Sequence, residues 1–218
     1  MTEHLLEIER EAFLWLNGIG RSPFLDEFMW LFSGKVAWIA LAAVFVAALF
    51  WRNKSHWREA VLLLFAIVVV ITFCDQFASG FCKPFFQRFR PTHHPDFMND
   101  VQTIFGYRGG KYGFISSHAA NSFGFAMLTA LIFRYKPYTV SIFIWALITS
   151  YSRIYLGVHF ITDIIPGAIV GLITGYGGAF FLKKITSFET VFPRQNIKIV
   201  VGALAATVFV LVIISILY

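Results

Sequence analysis

Charged side chains are scarce in this sequence. Asp, Glu, Lys and Arg supply 14% of its 218 residues, where a soluble domain carries about a quarter. Hydrophobic residues make up 58%, and the mean hydropathy is +0.70. The deficit excludes an ordinary soluble globular domain and points to an integral membrane protein. Cysteine is nearly missing: Cys74 and Cys82 lie eight residues apart in one apolar run. On a helix that spacing separates their Cα atoms by about 12 Å, beyond the roughly 7 Å that a disulfide spans. The opening stretch MTEHLLEIEREAFLWLNGIG has neither a basic leader region nor a long apolar core, so we expect no cleavable signal peptide. Internal repeats and low-complexity segments are also lacking. Of the two signs, negative charge is rarer, 12 residues against 18, for a net charge of +6. In a soluble chain that excess would suggest nucleic acid, but these cations gather at the ends of apolar runs. Their pattern is topological, and no nucleic-acid partner is expected.

Six apolar runs approach the roughly 20 residues that cross a bilayer: Phe28 to Trp51, Ala60 to Cys82, Ser117 to Phe133, Tyr138 to Tyr155, Phe160 to Leu182 and Ile197 to Leu217. Lipid forces each to satisfy its own backbone hydrogen bonds, so the expected fold is all-α, an integral membrane six-helix bundle forming a single domain. Ser33, Gly34 and Lys35 interrupt the first run, and Ser150 to Arg153 the fourth. Over residues 1–27, Leu5, Leu6, Ile8, Phe13, Leu14 and Leu16 interleave with Glu3, Glu7, Glu9, Arg10 and Glu11. That pattern suits an N-terminal amphipathic helix lying in the membrane interface, or equally a solvated helix packed on the bundle. Arg52, Lys54 and Arg58, then Arg134 and Lys136, then Lys183, Lys184, Arg194 and Lys198 mark three loops as cytoplasmic. The other face carries the acidic N-terminus, the long connection from Lys83 to Ser116, the turn from Arg153 to Phe160, and Tyr218.

Three clusters fall on that outer face. In KPFFQRFRP, Lys83 and Arg90 are seven apart; if the segment is helical, they share a face and can converge on one anion. Pro91 would end such a helix. Taken alone, both could be interfacial cations that snorkel to the headgroups. In GFISSHAANSF, Ser116 suits an N-cap, which would present free backbone N–H groups and the positive end of a helix dipole. His118 then lies in the first turn. In SRIYLGVHFITD, His159 and Asp163 are four apart, so the carboxylate can fix the imidazole tautomer and leave the other nitrogen free as a nucleophile. The planar fork of Arg153 suits phosphate oxygens. A structural pair closing a helix mouth is the plainer alternative. Together these residues form an inventory for binding a phosphate, attacking it and protonating its leaving group.

The three motifs resemble, in order and spacing, the signatures of the type 2 phosphatidic acid phosphatase superfamily. KPFFQRFRP is similar to its lysine, six residues, arginine-proline motif, and ISSH to its proline-serine-glycine-histidine motif. SRIYLGVHFITD is similar to its serine-arginine, five residues, histidine, three residues, aspartate motif. The resemblance covers about residues 60–182. It implies that Lys83, Arg90 and Arg153 hold the phosphate, aided by Ser116 and the backbone N–H of Ser117. It also implies that His159 attacks phosphorus to form a phosphohistidine, with Asp163 orienting it and His118 protonating the departing oxygen. No metal or other cofactor is implied, and the active site should face the periplasm or exterior of the cell membrane. Two departures bear on the phosphate cradle: Ile115 stands where the family has proline, and Ser117 where it has glycine.

A membrane-embedded phosphatase acting on a lipid phosphate is the expected function. Polyprenyl diphosphate, exemplified by undecaprenyl diphosphate, is set first because the chain is small and its loops short. Lipid A 1- or 4'-phosphate follows closely, then phosphatidylglycerol phosphate and phosphatidic acid. An anion transporter using the same cations is the alternative outside enzymes; a vanadate-dependent oxidase is disfavoured because that scaffold needs no apolar spans. His93, His94, Asp96 and Asp100 in PTHHPDFMND match no familiar metal spacing and read as a headgroup-facing loop. Asp75, about two turns below Lys83, is expected to be a hydrogen-bond or ion-pair partner within the bundle.

Overall fold

The structure, a computed structural model, describes residues 2–51, 53–186 and 192–217. Arg52 and Tyr218, assigned above to opposite faces, lie outside the described residues, as do the side chains of Glu3 and Lys54. Among the described residues there are no strands. In chain order the helices are α1 (Thr2–Gly18), α2 (Pro23–Ser33), α3 (Ile39–Phe50), α4 (Trp57–Asp75), α5 (Lys83–Phe86), α6 (Ser117–Phe133), α7 (Lys136–Tyr155), α8 (Ile161–Ile185) and α9 (Arg194–Leu217). A π-helical stretch, Gln76–Cys82, joins α4 to α5, so Trp57–Phe86 runs on as 30 helical residues.

That helix, α8 and α9 are each long and apolar enough to cross a membrane. A bent pair, α2 with Val36–Phe50, can form a fourth crossing. Large apolar side chains on their outer surfaces stay exposed, among them Phe65, Phe73, Phe85, Ile169, Ile173, Phe209 and Ile216. An apolar belt of that extent matches lipid and not water. The chain is a multi-pass membrane protein.

The first apolar run is not one straight helix. It breaks at Gly34 and Lys35 into two segments inclined by 67°. Gly34 caps α2 in an extended conformation, and the Trp38 indole N–H donates to the Phe32 carbonyl at 2.8 Å across the break. The fourth run, by contrast, continues unbroken through Ser150 to Arg153. Neither α6 nor α7 is both long and apolar enough to cross a membrane unaided. Helix α6, of 17 residues, is buried over most of its surface and carries Ser122 and Thr129 inside the bundle. Helix α7 carries Thr149, Ser150, Ser152 and Arg153. A helix packed among other helices needs little lipid-compatible surface, and Thr129 and Ser152 are bonded within the protein, donating to the Phe125 and Thr149 carbonyls at 2.7 Å.

The tightest packing is that of α6 on α8. Gly167, Gly171 and Gly175 form a stripe along α8 at four-residue intervals. A Cβ at each would stand 2.6, 2.3 and 2.4 Å from the carbonyl oxygens of Ser116, Ala120 and Gly124. Only glycine permits backbones so close, and small residues repeated at this spacing are how membrane helices approach each other. The stripe locks the start of α6 against the start of α8, where the Ser116 N–H donates to the Asp163 carbonyl at 3.0 Å.

Helix α1 docks over the same end. Phe13 is fully buried between Phe97 and Phe160, and Arg10 pairs with Asp100 at 2.9 Å. The Asn17 side chain donates to the carbonyls of Gln102, Ile154 and Tyr155. Leu5, Leu6, Ile8 and Trp15 remain exposed. Cys74 and Cys82 are both free thiols in the interior.

Candidate active site

Helix ends and one extended loop bring the charged residues together. The helix carrying Lys83 stops at Phe86, because Gln87 turns into the left-handed region at φ 45°. Lys83 and Arg90 therefore do not share a helical face. Arg90 instead lies on an extended stretch tied to the returning chain at 111–113: its N–H donates to Lys111 O at 3.0 Å, and Gly113 N–H donates to Arg88 O at 2.9 Å. The Arg90 guanidinium donates to Tyr112 O at 3.1 Å and Val158 O at 3.2 Å, and its Nη1 lies 3.2 Å from His159 Nε2. Burial, then the nearby charge of Arg153, lower its pKa to about 10, so it stays protonated at neutral pH. Lys83 Nζ donates to Ser79 Oγ at 2.9 Å and Ser117 Oγ at 3.4 Å. The serine that replaces the family's glycine is thus accommodated by giving the lysine a partner.

Ser116 is the N-cap of α6, its Oγ accepting from Ala119 N–H at 3.4 Å. The following N–H groups, of Ser117 and His118, have no intrahelical acceptor at a helix start. Ile115 is buried beside Ala78 and Cys82.

His159 and Asp163 meet, but not on one helical face. His159 precedes α8, Phe160 is the N-cap, and Asp163 occupies the third helical position. The Asp163 carboxylate folds back as a capping group: Oδ2 accepts from Phe160 N–H at 3.0 Å and lies 3.2 Å from His159 Nδ1. Since Arg90 can only donate to Nε2, the bonding pattern assigns the proton to Nδ1. Burial, then the fields of Arg90, Arg153, Lys83 and Arg88, hold the His159 imidazole well below the usual histidine range. It is neutral at neutral pH, with its Nε2 lone pair turned to the cationic side.

Arg153, in the last turn of α7, is 4% exposed. Its guanidinium donates to Ser33 Oγ at the α2 break and to the Tyr107 hydroxyl at 3.2 Å. His118 opens with Ser117 onto a cavity of about 550 Å³ walled chiefly by apolar residues of α3, α4, α6, α7 and α9. Asp75 lines the same cavity. It makes no side-chain hydrogen bond or ion pair among the described residues. The four residues of PTHHPDFMND do not gather on one point: His93 Nδ1 lies 3.2 Å from Thr92 Oγ1, His94 stacks on Phe97 and lies 3.7 Å from Asp96, and Asp100 pairs with Arg10.

Two buried arginines, Arg90 and Arg153, and the partly buried Lys83 gather with a carboxylate-held histidine at the mouths of the helices, and the sequence model of the PAP2 superfamily matches residues 59–187. The chain belongs to the PAP2 superfamily. It is 50% identical over 174 residues to a lipid A 4'-phosphatase of Porphyromonas gingivalis, covering 80% of this chain and 72% of the relative. A lipid A 4'-phosphatase of Bacteroides thetaiotaomicron is 41% identical over 188 residues, covering 86% and 82%. The fold is similar to that of a PAP2-type phosphatidylglycerolphosphate phosphatase from Bacillus subtilis, with a TM-score of 0.63 at 22% identity over 85% of this chain and 90% of that one. LpxE of Aquifex aeolicus superimposes with a TM-score of 0.58 at 26% identity, covering 77% and 92%.

Several site residues escaped the sequence reading. Arg88 sits inside KPFFQRFRP but off the motif positions, and its guanidinium reaches Asp163 Oδ1 at 3.1 Å. Glu9, Ser33, Ser79 and Tyr107 each hold one of the site's cations. Gly113 has no side chain because a Cβ there would lie 3.0 Å from Asp163 Oδ2 and 3.5 Å from His159 Nδ1.

Proposed function

We propose that the protein removes the 4'-phosphate of lipid A through a phosphohistidine on His159. That it is a phosphatase follows from its family and its two phosphatase relatives. The reaction step is supported by one observation above the rest: His159 is neutral, with Nδ1 held by Asp163 and Nε2 against Arg90. The substrate is supported by the two relatives, which reverse the order given by chain size and loop length. Lipid A moves ahead of polyprenyl diphosphate.

In this mechanism the phosphate takes the guanidinium of Arg90 away from Nε2 and is clamped by Lys83, Arg90 and Arg153. Ser116 and the N–H of Ser117 add hydrogen bonds at the positive end of α6. Nε2 attacks in line, the P–N bond forms, and the P–O bond to the lipid breaks. His118, protonated once the anionic phosphate is bound beside it, gives that proton to the departing oxygen and is left neutral. His118 then accepts a proton from water, whose oxygen attacks phosphorus, releasing inorganic phosphate and restoring neutral His159. Asp163 stabilises the charge that appears on the imidazole at each step. The cavity beside His118 is mostly apolar and suits the lipid's hydrocarbon.

The same reading places six crossings in the membrane, with α6 and α7 joining the four above. The continuous Trp57–Phe86 helix is about 45 Å long, so its last turns rise past a hydrocarbon core of about 30 Å. This puts Lys83 at headgroup level. Helix α1 lies in the interface with Leu5, Leu6, Ile8 and Trp15 toward lipid. The cytoplasmic assignment of the basic loops sets the site on the periplasmic side of the inner membrane.

Phosphate release by purified protein is the test, with 4'-phosphorylated lipid A, undecaprenyl diphosphate, phosphatidylglycerol phosphate and phosphatidic acid compared in parallel, with and without EDTA. Lipid A should be the best substrate and EDTA without effect. His159→Ala should lower the rate by roughly 10³-fold or more, and His118→Ala by roughly 10²- to 10⁴-fold. Near-wild-type release by His159→Ala overturns the nucleophile, and faster turnover of undecaprenyl diphosphate overturns the substrate.

A further inference from the structure

The two oxygens of Asp163 have different duties. Oδ2 serves His159 and the Phe160 N–H, while Oδ1 accepts only from Arg88 Nη1, at 3.1 Å, among the described side chains. Asp163 is fully buried, so Oδ1 has no water to fall back on. An uncompensated buried carboxylate oxygen is costly, and removing one partner of a buried pair is more damaging than never having had it.

Arg88 is itself fixed from behind. Its Nη1 also donates to Thr162 Oγ1 at 2.7 Å, its Nη2 donates to Glu9 Oε2 at 2.5 Å, and its guanidinium lies 4.7 Å over the Phe160 ring. The Thr162 hydroxyl donates to the other Glu9 oxygen. Glu9 is on α1, outside the 59–187 match to the family, and its side chain is 11% exposed. The guanidinium is thus held by two acidic groups, one on each side. Held in this way, it is kept out of the phosphate cradle formed by the other cations.

We propose that Arg88, clamped by Glu9 and Thr162, is a positioning residue that aims Asp163 at His159, and that α1 is thereby a working part of the active site. The inference rests on the reading of His159 as nucleophile. A loose Asp163 still leaves the phosphate cradle of Lys83, Arg90 and Arg153 in place. Substrate binding is preserved while the imidazole loses its fixed tautomer and direction.

The test measures kcat, KM and thermal midpoint on the full chain, using phosphate release from 4'-phosphorylated lipid A. Arg88→Gln should lower kcat by roughly 10- to 100-fold with KM within about twofold. Arg88→Lys, which keeps the charge but cannot reach both acids, should recover part of the loss. Glu9→Gln should lower kcat severalfold with little change in midpoint. In an Asp163→Asn background, Arg88→Gln should add less than about twofold, because residues acting as one unit are not additive. His159→Ala is run beside them: if it stays active, the nucleophile reading falls. If it is inactive while Arg88→Gln keeps kcat within twofold, only the positioning role falls. An undiminished loss in the Asp163→Asn background, or a kcat loss that merely follows the midpoint, also overturns the role. Should Arg88→Gln not fold, the Lys and Glu9 variants decide between the same outcomes.

Discussion

Replacing Gly171 by alanine should uncouple the two halves of the active site without touching any catalytic group. The new Cβ would lie 2.3 Å from the Ala120 carbonyl oxygen and 2.8 Å from the Gly124 nitrogen. Close carbon–oxygen contacts settle at about 3.3 Å, so α8 must retreat from α6 by about 1 Å. Both obstructing atoms are backbone, so no side chain can swing aside. Overpacking of this kind costs about 1–3 kcal/mol, and for a chain of this size each kcal/mol lowers the thermal midpoint by about 2–4 °C. The functional cost is larger. The retreat stretches the 3.0 Å bond from Ser116 N–H to Asp163 O. It also moves the α6 end of the proposed phosphate cradle relative to His159, and a 1 Å misplacement can cost about 10²-fold in rate. Gly202→Ala on α9 is the control, since a Cβ there meets nothing within 4 Å. It should leave activity unchanged and the midpoint level or slightly raised. Melting in detergent and phosphate release on both variants are the assays. If Gly171→Ala matches the control in both, the stripe does not set the site.

Two further outcomes follow from the geometry. Gly113→Ala puts a methyl 3.0 Å from Asp163 Oδ2 and 3.2 Å from Arg90 Cγ. We expect kcat to fall about tenfold with a melting midpoint within a few degrees of wild type; unchanged kcat would refute the tight fit. Because His159 is held well below the ordinary histidine value of about 6.5, the unfolded chain takes up a proton there before the native protein does. Native stability is therefore lost as pH falls through 6.5 toward the lowered value. The midpoint of wild type should drop relative to that of His159→Gln between pH 7.5 and 5. A constant difference across that range would show that the imidazole is not held neutral by its surroundings.

Much of this protein was determined by its sequence alone, because the deciding physics is local. Apolar length located the last five runs to within a few residues, with the expected Ser117 to Phe133 run coinciding with α6, but it missed the break that divides the first run into α2 and α3. Ser116 was recognisable as an N-cap from its side-chain chemistry. His159 and Asp163 were recognisable as partners from spacing, although a folded-back cap and not a helical face brings them together. The seven-residue interval between Lys83 and Arg90 predicted one shared helical face, which the chain does not form, since the helix ends between them.

The tertiary structure alone decided what holds those residues in place. Arg88 meets Glu9 across 79 residues of sequence and Asp163 across 75, and Arg153 meets Ser33 across 120. Such contacts leave no periodicity to read, because they depend on which helix ends share one face of the bundle. The break between α2 and α3 brings Ser33 to Arg153, and the docking of α1 brings Glu9 to Arg88. Motif spacing named the candidate groups, while the close approach of α6 and α8 along three glycines decides how near the starts of those two helices stand.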